Sequence, residues 1–263
     1  MAITSTDPTA AYLSALAGGR ADAIMALFAA DPVIADPRAG RVVGREAAAE
    51  FVASQSKWMR DHRVEFEPIR TTVGRGLSVT ESLAWLTVDG KRTELPFAVV
   101  GDGGRGESGG CLREIRVYHS NWPLEARHRL RPPIIPEDRR LVLPDIVAAY
   151  MDALGSGDLA GSLSVFEPDG YFREPSGGVN VYRGPEGIRE VYSAFFGVGG
   201  IHLRHCSVID DGVACGVEFI ADGWGPRPFQ PQAGIGVYER GASGKLAGAR
   251  VYDDVDVDLG LRS

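Results

Sequence analysis

The chain repeats itself, and a duplicated chain is confined to folds that half its length can complete. Tyr12-Leu13-Ser14-Ala15-Leu16 returns 138 residues later as Tyr150-Met151-Asp152-Ala153-Leu154. At the same offset Leu27-Phe28 meets Val165-Phe166, and Asp36-Pro37 meets Glu174-Pro175. With two residues inserted, Gly44-Arg45-Glu46 falls on Gly184-Pro185-Glu186, and near the ends Arg116-Val117-Tyr118 matches Arg250-Val251-Tyr252, 134 apart. A repeat this long is a whole domain and not a solenoid unit. The 263 residues therefore divide into a first domain over 1–122, a linker over 123–143 and a second domain over 144–263. Each domain is long enough to bury its own core.

Charge limits the partners. Lys and Arg number 28 against 35 Asp and Glu, a net charge of −7. A nucleic-acid or polyphosphate partner would demand a basic surface, so none is expected. No basic amphipathic run points to a membrane surface. No apolar run reaches the roughly eighteen residues of a spanning helix, and the polar start Met1–Pro8 lacks a signal-peptide pattern. The three cysteines, Cys111, Cys206 and Cys215, are odd in number and lack metal-ligand spacing. Cys206 and Cys215 could pair, but buried free thiols in a reducing cytoplasm are the expected reading.

Asp7 as N-cap and Pro8 at the first position start a helix. Tyr12, Leu13, Leu16, Ile24, Leu27 and Phe28 follow at helical spacing, broken by Gly18-Gly19, with the second helix over about Ala21–Ala29. Val33–Asp36 reads as a strand closed by Pro37, Arg41–Val43 as its partner, and Gly44 opens a third helix to about Met59. Strands are expected at Val64–Arg70, Gly76–Val88, Thr93–Gly101 and Leu112–His119. The second copy repeats the order: helices at Ile146–Leu154 and Asp158–Phe166, a strand at Tyr171–Pro175 and a helix at Gly184–Phe196. Its strands fall at His202–Asp210, Val213–Asp222, Gln232–Glu239 and Leu246–Val255. Helices first and a run of antiparallel strands after give an α+β class. Between the copies, Trp122–Leu143 is rich in Arg and Pro, the composition of an extended linker packed along the surface, its basic run a solvated or interdomain face. The Gly-rich stretch Gly101–Gly110 is a mobile hairpin tip, without the helix and lysine of a phosphate loop. No His/Cys/Asp/Glu cluster has metal spacing and no dinucleotide fingerprint follows a strand, so neither metal nor cofactor is expected.

Tyr12, Gly19, Leu27-Phe28-Ala29, Asp36-Pro37 and Gly44 form one set of matching residues. Tyr150, Gly157-Asp158, Val165-Phe166, Glu174-Pro175, Gly184 and Tyr192 form the other. Both resemble the ketosteroid-isomerase and SnoaL-like polyketide cyclase families of the nuclear-transport-factor-two superfamily, over nearly the whole chain. The resemblance implies two tandem cone-shaped α+β barrels, in each of which a curved antiparallel sheet wraps around helices and leaves a pocket. Such domains pair through the convex sides of their sheets, which implies an intramolecular pseudo-dimer, monomeric or in a homodimer. The fold hosts isomerases, dehydratases, cyclases, epoxide hydrolases and non-catalytic binders, so it does not name a reaction.

In ketosteroid isomerases a first-helix tyrosine donates to the developing oxyanion, and an acid before the first-strand proline moves the proton. Tyr12 and Asp36 keep that spacing, as do Tyr150 and Glu174. The family's second pocket tyrosine falls on Tyr192, with Val52 in the first copy. Its late-strand acid has no counterpart in Pro96–Val100 or Ala233–Val237, so true steroid isomerisation is not expected. The resemblance puts His119 and Asp253 of the last strands on the pocket face. Period-two alternation sends Ser120 and Asp254 to the other face, although a one-residue register change gives Asp254 the role. Epoxide hydrolases of this fold use paired carboxylates, here Asp36 with Glu65 or Glu174 with Asp253. Against these roles, acids before proline also cap turns, and buried tyrosines also serve as core.

The expected function is a cofactor-independent acid/base enzyme of cyclase, isomerase, dehydratase (lyase) or epoxide hydrolase type. Its substrate, the expected partner, is a small, largely apolar, oxygenated molecule. Glu174 with Asp253 would be acid and base, with Tyr150 and Tyr192 orienting an oxygen. Asp36, His119 and Tyr12 would form a different site in the first copy. Trp58, Phe28, Phe166, Phe195, Phe196 and His202 would line the pockets. The alternative is a non-catalytic binder of a hydrophobic ligand, with one half purely structural.

Overall fold

A computed structural model describes residues 7–103, 112–177 and 180–256. The Gly-rich tip lies from residue 104 on outside the described residues, as do Cys111, Asp258 and the polar start up to Thr6. The chain divides into two compact units, Met1–His119 and Ser120–Ser263. The first contains α1 (Pro8–Ala17), α2 (Ala21–Met25), β1 (Val33–Asp36), β2 (Gly40–Val43), α3 (Arg45–Asp61), β3 (Glu65–Gly74), β4 (Leu77–Val88), β5 (Lys91–Gly103) and β6 (Leu112–Tyr118). The second begins with α4 (Trp122–Glu125), α5 (Asp145–Ser156), α6 (Leu159–Ser164), β7 (Phe166–Arg173), β8 (Val181–Arg183) and α7 (Gly184–Phe196). It ends with β9 (Ile201–Asp210), β10 (Ala214–Trp224), β11 (Arg227–Arg240) and β12 (Leu246–Asp253).

Each unit is an α+β cone built on a six-stranded sheet, ordered β2-β1-β6-β5-β4-β3 and β8-β7-β12-β11-β10-β9. The sheets are mixed and open, each with its helices, in keeping with the expected pair of α+β cones. One parallel pair in each, β1 with β6 and β7 with β12, interrupts an otherwise antiparallel order. A parallel pair needs a long crossover, and here nearly the whole domain lies between its two strands. Register shifts in β10 between Glu218 and Phe219 and between Ala221 and Gly223 bend the second sheet, as bulges do. Among the described residues no helix is long and apolar enough to cross a membrane.

Local chemistry starts the helices where the sequence indicates. Asp7 accepts from the backbone N–H groups of Thr9 (2.9 Å) and Ala10 (3.3 Å), and Asp158 accepts from Gly161 N–H (3.0 Å). Two helices stop earlier than their apolar spacing indicates. Leu112 N–H donates to Leu27 O (2.6 Å) and Ala29 N–H to Leu112 O (3.0 Å), so α2 gives way before Phe28. Phe166 likewise opens β7 by pairing with Leu246 instead of closing α6. A short apolar run satisfies a helix face or a strand equally well, and the sheet partner decides.

The Arg/Pro-rich stretch packs along the second unit. It opens with the short helix α4 and then runs against the second unit. Ala233 N–H donates to Arg131 O (2.9 Å) and Asp138 N–H to His205 O (3.0 Å).

Candidate active site

The second unit holds a cavity of about 270 Å³ between its helices and the inner face of its sheet. Tyr150 and Leu154 come from α5, Phe195 from α7, Phe219, Ala221 and Trp224 from β10, Tyr238 from β11, and Val251 and Asp253 from β12. The space exists because the inner face of β11 reads Gly234, Gly236, Tyr238. A Cβ on Gly234 would run into the Phe219 ring and Asp253, and one on Gly236 into the Tyr238 ring. Phe219 and Tyr238 therefore lie over bare backbone. Trp224 completes the wall, its indole N–H donating to Phe195 O at 2.8 Å.

Two carboxyl groups face this apolar space. Glu174 follows β7 and lines the cavity. Its carboxyl takes no hydrogen bond from the described side chains or backbone, and burial raises its pKa. Asp253 ends β12 and accepts one bond, from Val255 N–H at 3.3 Å. Burial, reinforced by the charges of Asp254 and Glu174, lifts it to about 7 against the pull of that bond and of His128. The Glu174 charge is the smallest of the influences on Asp253, and burial is the main one.

The tyrosines form a stack behind the acids. Tyr150 and Tyr192 share a hydrogen bond of 2.7 Å between their hydroxyls. Burial pushes Tyr150 up to about 12 despite that bond, so it is a neutral donor. Tyr192 has no exposed surface and supports Tyr150 from behind, outside the lining. Tyr238, absent from the sequence-derived candidates, packs 5.1 Å from the Tyr150 ring. Its hydroxyl has no hydrogen-bond partner among the described residues, and burial holds it protonated. The duplication did not mark it, because β5 carries Gly101 at the matching register position.

Asp254 points away from the cavity, as the alternation indicated, but is not solvated. Its Oδ1 accepts from Ser120 Oγ (2.7 Å), Asn121 N–H (2.9 Å) and His128 Nδ1 (2.9 Å). Oδ2 accepts from Asn121 Nδ2 and Arg129 N–H, each at 2.7 Å. Burial alone would raise its pKa, yet these donors hold it below the usual carboxylate range. His128 lines the cavity and stacks on Trp122 at 5.0 Å. It too was missed, because nothing in a basic linker marks one histidine.

The other expected residues are placed differently. His202 is exposed and lies over Gly223, outside the cavity that its neighbours Ile201 and Leu203 line. Alternation along β9 sends it to the opposite face. Phe166 and Phe196 pack on Tyr150 and Tyr192 as core and do not line the cavity. In the first unit Asp36 caps the β1–β2 turn, accepting from the N–H groups of Arg38 and Ala39 at 2.8 Å each. Glu65 is exposed and faces Arg92 at 3.7 Å, so it makes no pair with Asp36. Tyr12 is fully buried with its hydroxyl unpartnered among the described residues; burial, then the Asp36 charge, raises its pKa far above normal. Phe28 is buried where it bridges to Leu112, and His119 is buried after β6. Trp58 stacks on His62 at 4.3 Å beneath Arg38. The register positions of Gly234 and Gly236 carry Phe97 and Val99 here, both buried, with Phe97 against Phe66.

The SnoaL-like domain matches this chain twice, over residues 9–108 and 147–249. No curated protein matches it. Similar solved structures each cover about one half. One is a putative polyketide cyclase from Sinorhizobium meliloti, with 16% identity over 44% of this chain and 98% of that one, at a TM-score of 0.36. Another, with a ketosteroid isomerase-like fold, is from Catenulispora acidiphila in complex with trimethylamine (17% identity, 43% and 88% covered, TM-score 0.37). A third is SalBIII, an epoxide hydrolase/cyclase-like enzyme of pyran ring formation in the polyether salinomycin (22% identity, 42% and 85% covered, TM-score 0.34). Because the match recurs over both halves and takes in more than half of the residues, the chain belongs to the SnoaL-like domain family, as two tandem domains.

Proposed function

We propose that the second unit is a cofactor-independent acid–base enzyme acting on a small, largely apolar carbonyl compound or epoxide. One observation carries this reading: Glu174 and Asp253, both nearly without hydrogen bonds, share an apolar cavity that raises both pKa values. A carboxylate poised that way takes and returns protons near neutrality. In this reading Asp253, which burial lifts to about 7, is the acid, and Glu174, which burial also raises, is the base. Glu174 then removes a proton from carbon beside a carbonyl, or from the hydroxyl that opens an epoxide. Asp253 delivers its proton to the oxygen where charge develops, and the hydroxyls of Tyr150 and Tyr238 donate to that oxygen. The buried thiol of Cys215, in no disulfide among the described residues, supports a reducing, cytoplasmic setting.

In this reading the first unit is a structural partner. Support comes from Phe97 and Val99, which fill the inner face where the second unit has Gly234 and Gly236.

The test uses two panels, cyclic ketones followed for deuterium uptake beside the carbonyl in D2O, and cyclic epoxides followed for ring opening. Turnover of at least one compound is expected, with Glu174→Gln and Asp253→Asn each lowering it about a hundredfold or more. Full activity in either variant, or ligand binding without turnover on both panels, overturns the reading in favour of a binding protein.

A further inference from the structure

The linker contributes a histidine whose setting resembles that of a base held by a carboxylate. Asp254 is surrounded by donors, so it is ionised, and His128 Nδ1 must carry the hydrogen that points at it. This fixes the tautomer and leaves Nε2 as the free nitrogen of a ring at the cavity wall, with no partner among the described residues. The ring plane is held from a second side by Trp122. A carboxylate on one nitrogen and an open site on the other is how an imidazole is oriented to exchange a proton with a substrate. We propose that His128, positioned by Asp254, is the Nε2–H donor to a substrate oxygen, so that the cavity selects ring compounds with an enol, phenol or carbonyl oxygen over bare rings. The bond to Asp254 favours the charged imidazole, outweighing burial. The charges of Asp253 and Asp256 act in the same direction. In the step itself the Nε2–H stays on the ring and donates a hydrogen bond to the enolate or alkoxide oxygen, which takes its proton from Asp253, and the ring keeps its Nδ1–H to Asp254 throughout.

This deepens the acid–base reading and rests on it for the second-unit cavity as a substrate site, but its test separates the two. The probes are 4-fluorophenol and 4-fluorotoluene, matched in size and followed by fluorine NMR at pH 6. The intact protein is expected to bind the phenol roughly tenfold more tightly, as one hydrogen bond to a charged donor provides. His128→Gln is expected to lose that preference while keeping its affinity for the toluene. Glu174→Gln, which tests the proton-transfer reading, is expected to keep it. As a measurement that needs no variant, the nitrogen resonance of His128 Nε2 should move with the phenol and stay put with the toluene. A preference absent from the intact protein, unchanged in His128→Gln, or formed without movement of Nε2 overturns the proposal.

Discussion

Asp253 and Asp254 are neighbours in sequence with opposite fates, and the difference is the supply of donors. Asp254 meets five and stays ionised; Asp253 meets one and rises to about 7. The raised acid has a direction in stability. Between its unfolded value of 3.8 and its folded value of about 7, the folded state binds the extra proton, so stability falls as pH rises through this window. At about 1.4 kcal/mol per pKa unit the loss is on the order of 4 kcal/mol at most, reduced by whatever water enters the cavity. Asp253→Asn should flatten this decline, so the gap between variant and parent in urea unfolding should widen in the variant's favour from pH 4 to pH 8. A gap independent of pH would show that Asp253 titrates normally.

At the scale of elements, the linker and β11 shape the site. Ser120, Asn121, His128 and Arg129 all end on Asp254, so the stretch before α5 is part of the second unit. A fragment starting at Pro144 removes every one of those donors from a buried carboxylate. It should be about 3–5 kcal/mol less stable than one starting at Ser120, measured by urea unfolding at pH 7. Equal stability would mean that solvent replaces the donors freely. On β11, the alternation of Gly234, Gly236 and Tyr238 holds the space open. Alternation was visible in the sequence, but the meaning of the glycines was not, because an absent side chain acts only through what lies over it. The helix starts were legible at Asp7 and Asp158, since capping is settled within four residues. The ends at Phe28 and Phe166 were not, since their partners Leu112 and Leu246 are some 80 residues away.

At the scale of the whole molecule the two copies have diverged in opposite directions. Phe97 is core in the first unit, and its partner position in the second is Gly234. Gly234→Phe should abolish binding of ring ligands to the second unit, read by titration calorimetry with a ligand of the intact protein. Phe97→Ala should instead cost about 3–5 kcal/mol of first-unit stability and leave second-unit turnover within twofold. If Phe97→Ala abolished turnover, the first unit would be more than structural.

The sequence by itself determined the duplication, the α+β order of elements and the recurrence of a tyrosine with an acid. All three depend on local spacing or on comparing the chain with itself. It also picked out Glu174, Tyr150, Phe195 and Asp253, which the fold brings to one cavity. Tertiary structure alone decided that Asp36 caps a turn, that His202 turns outward, and that His128 and Tyr238 join the site. Each of those outcomes depends on which groups a fold brings within hydrogen-bonding or packing distance. A chain specifies those distances only once its sheet has closed over them.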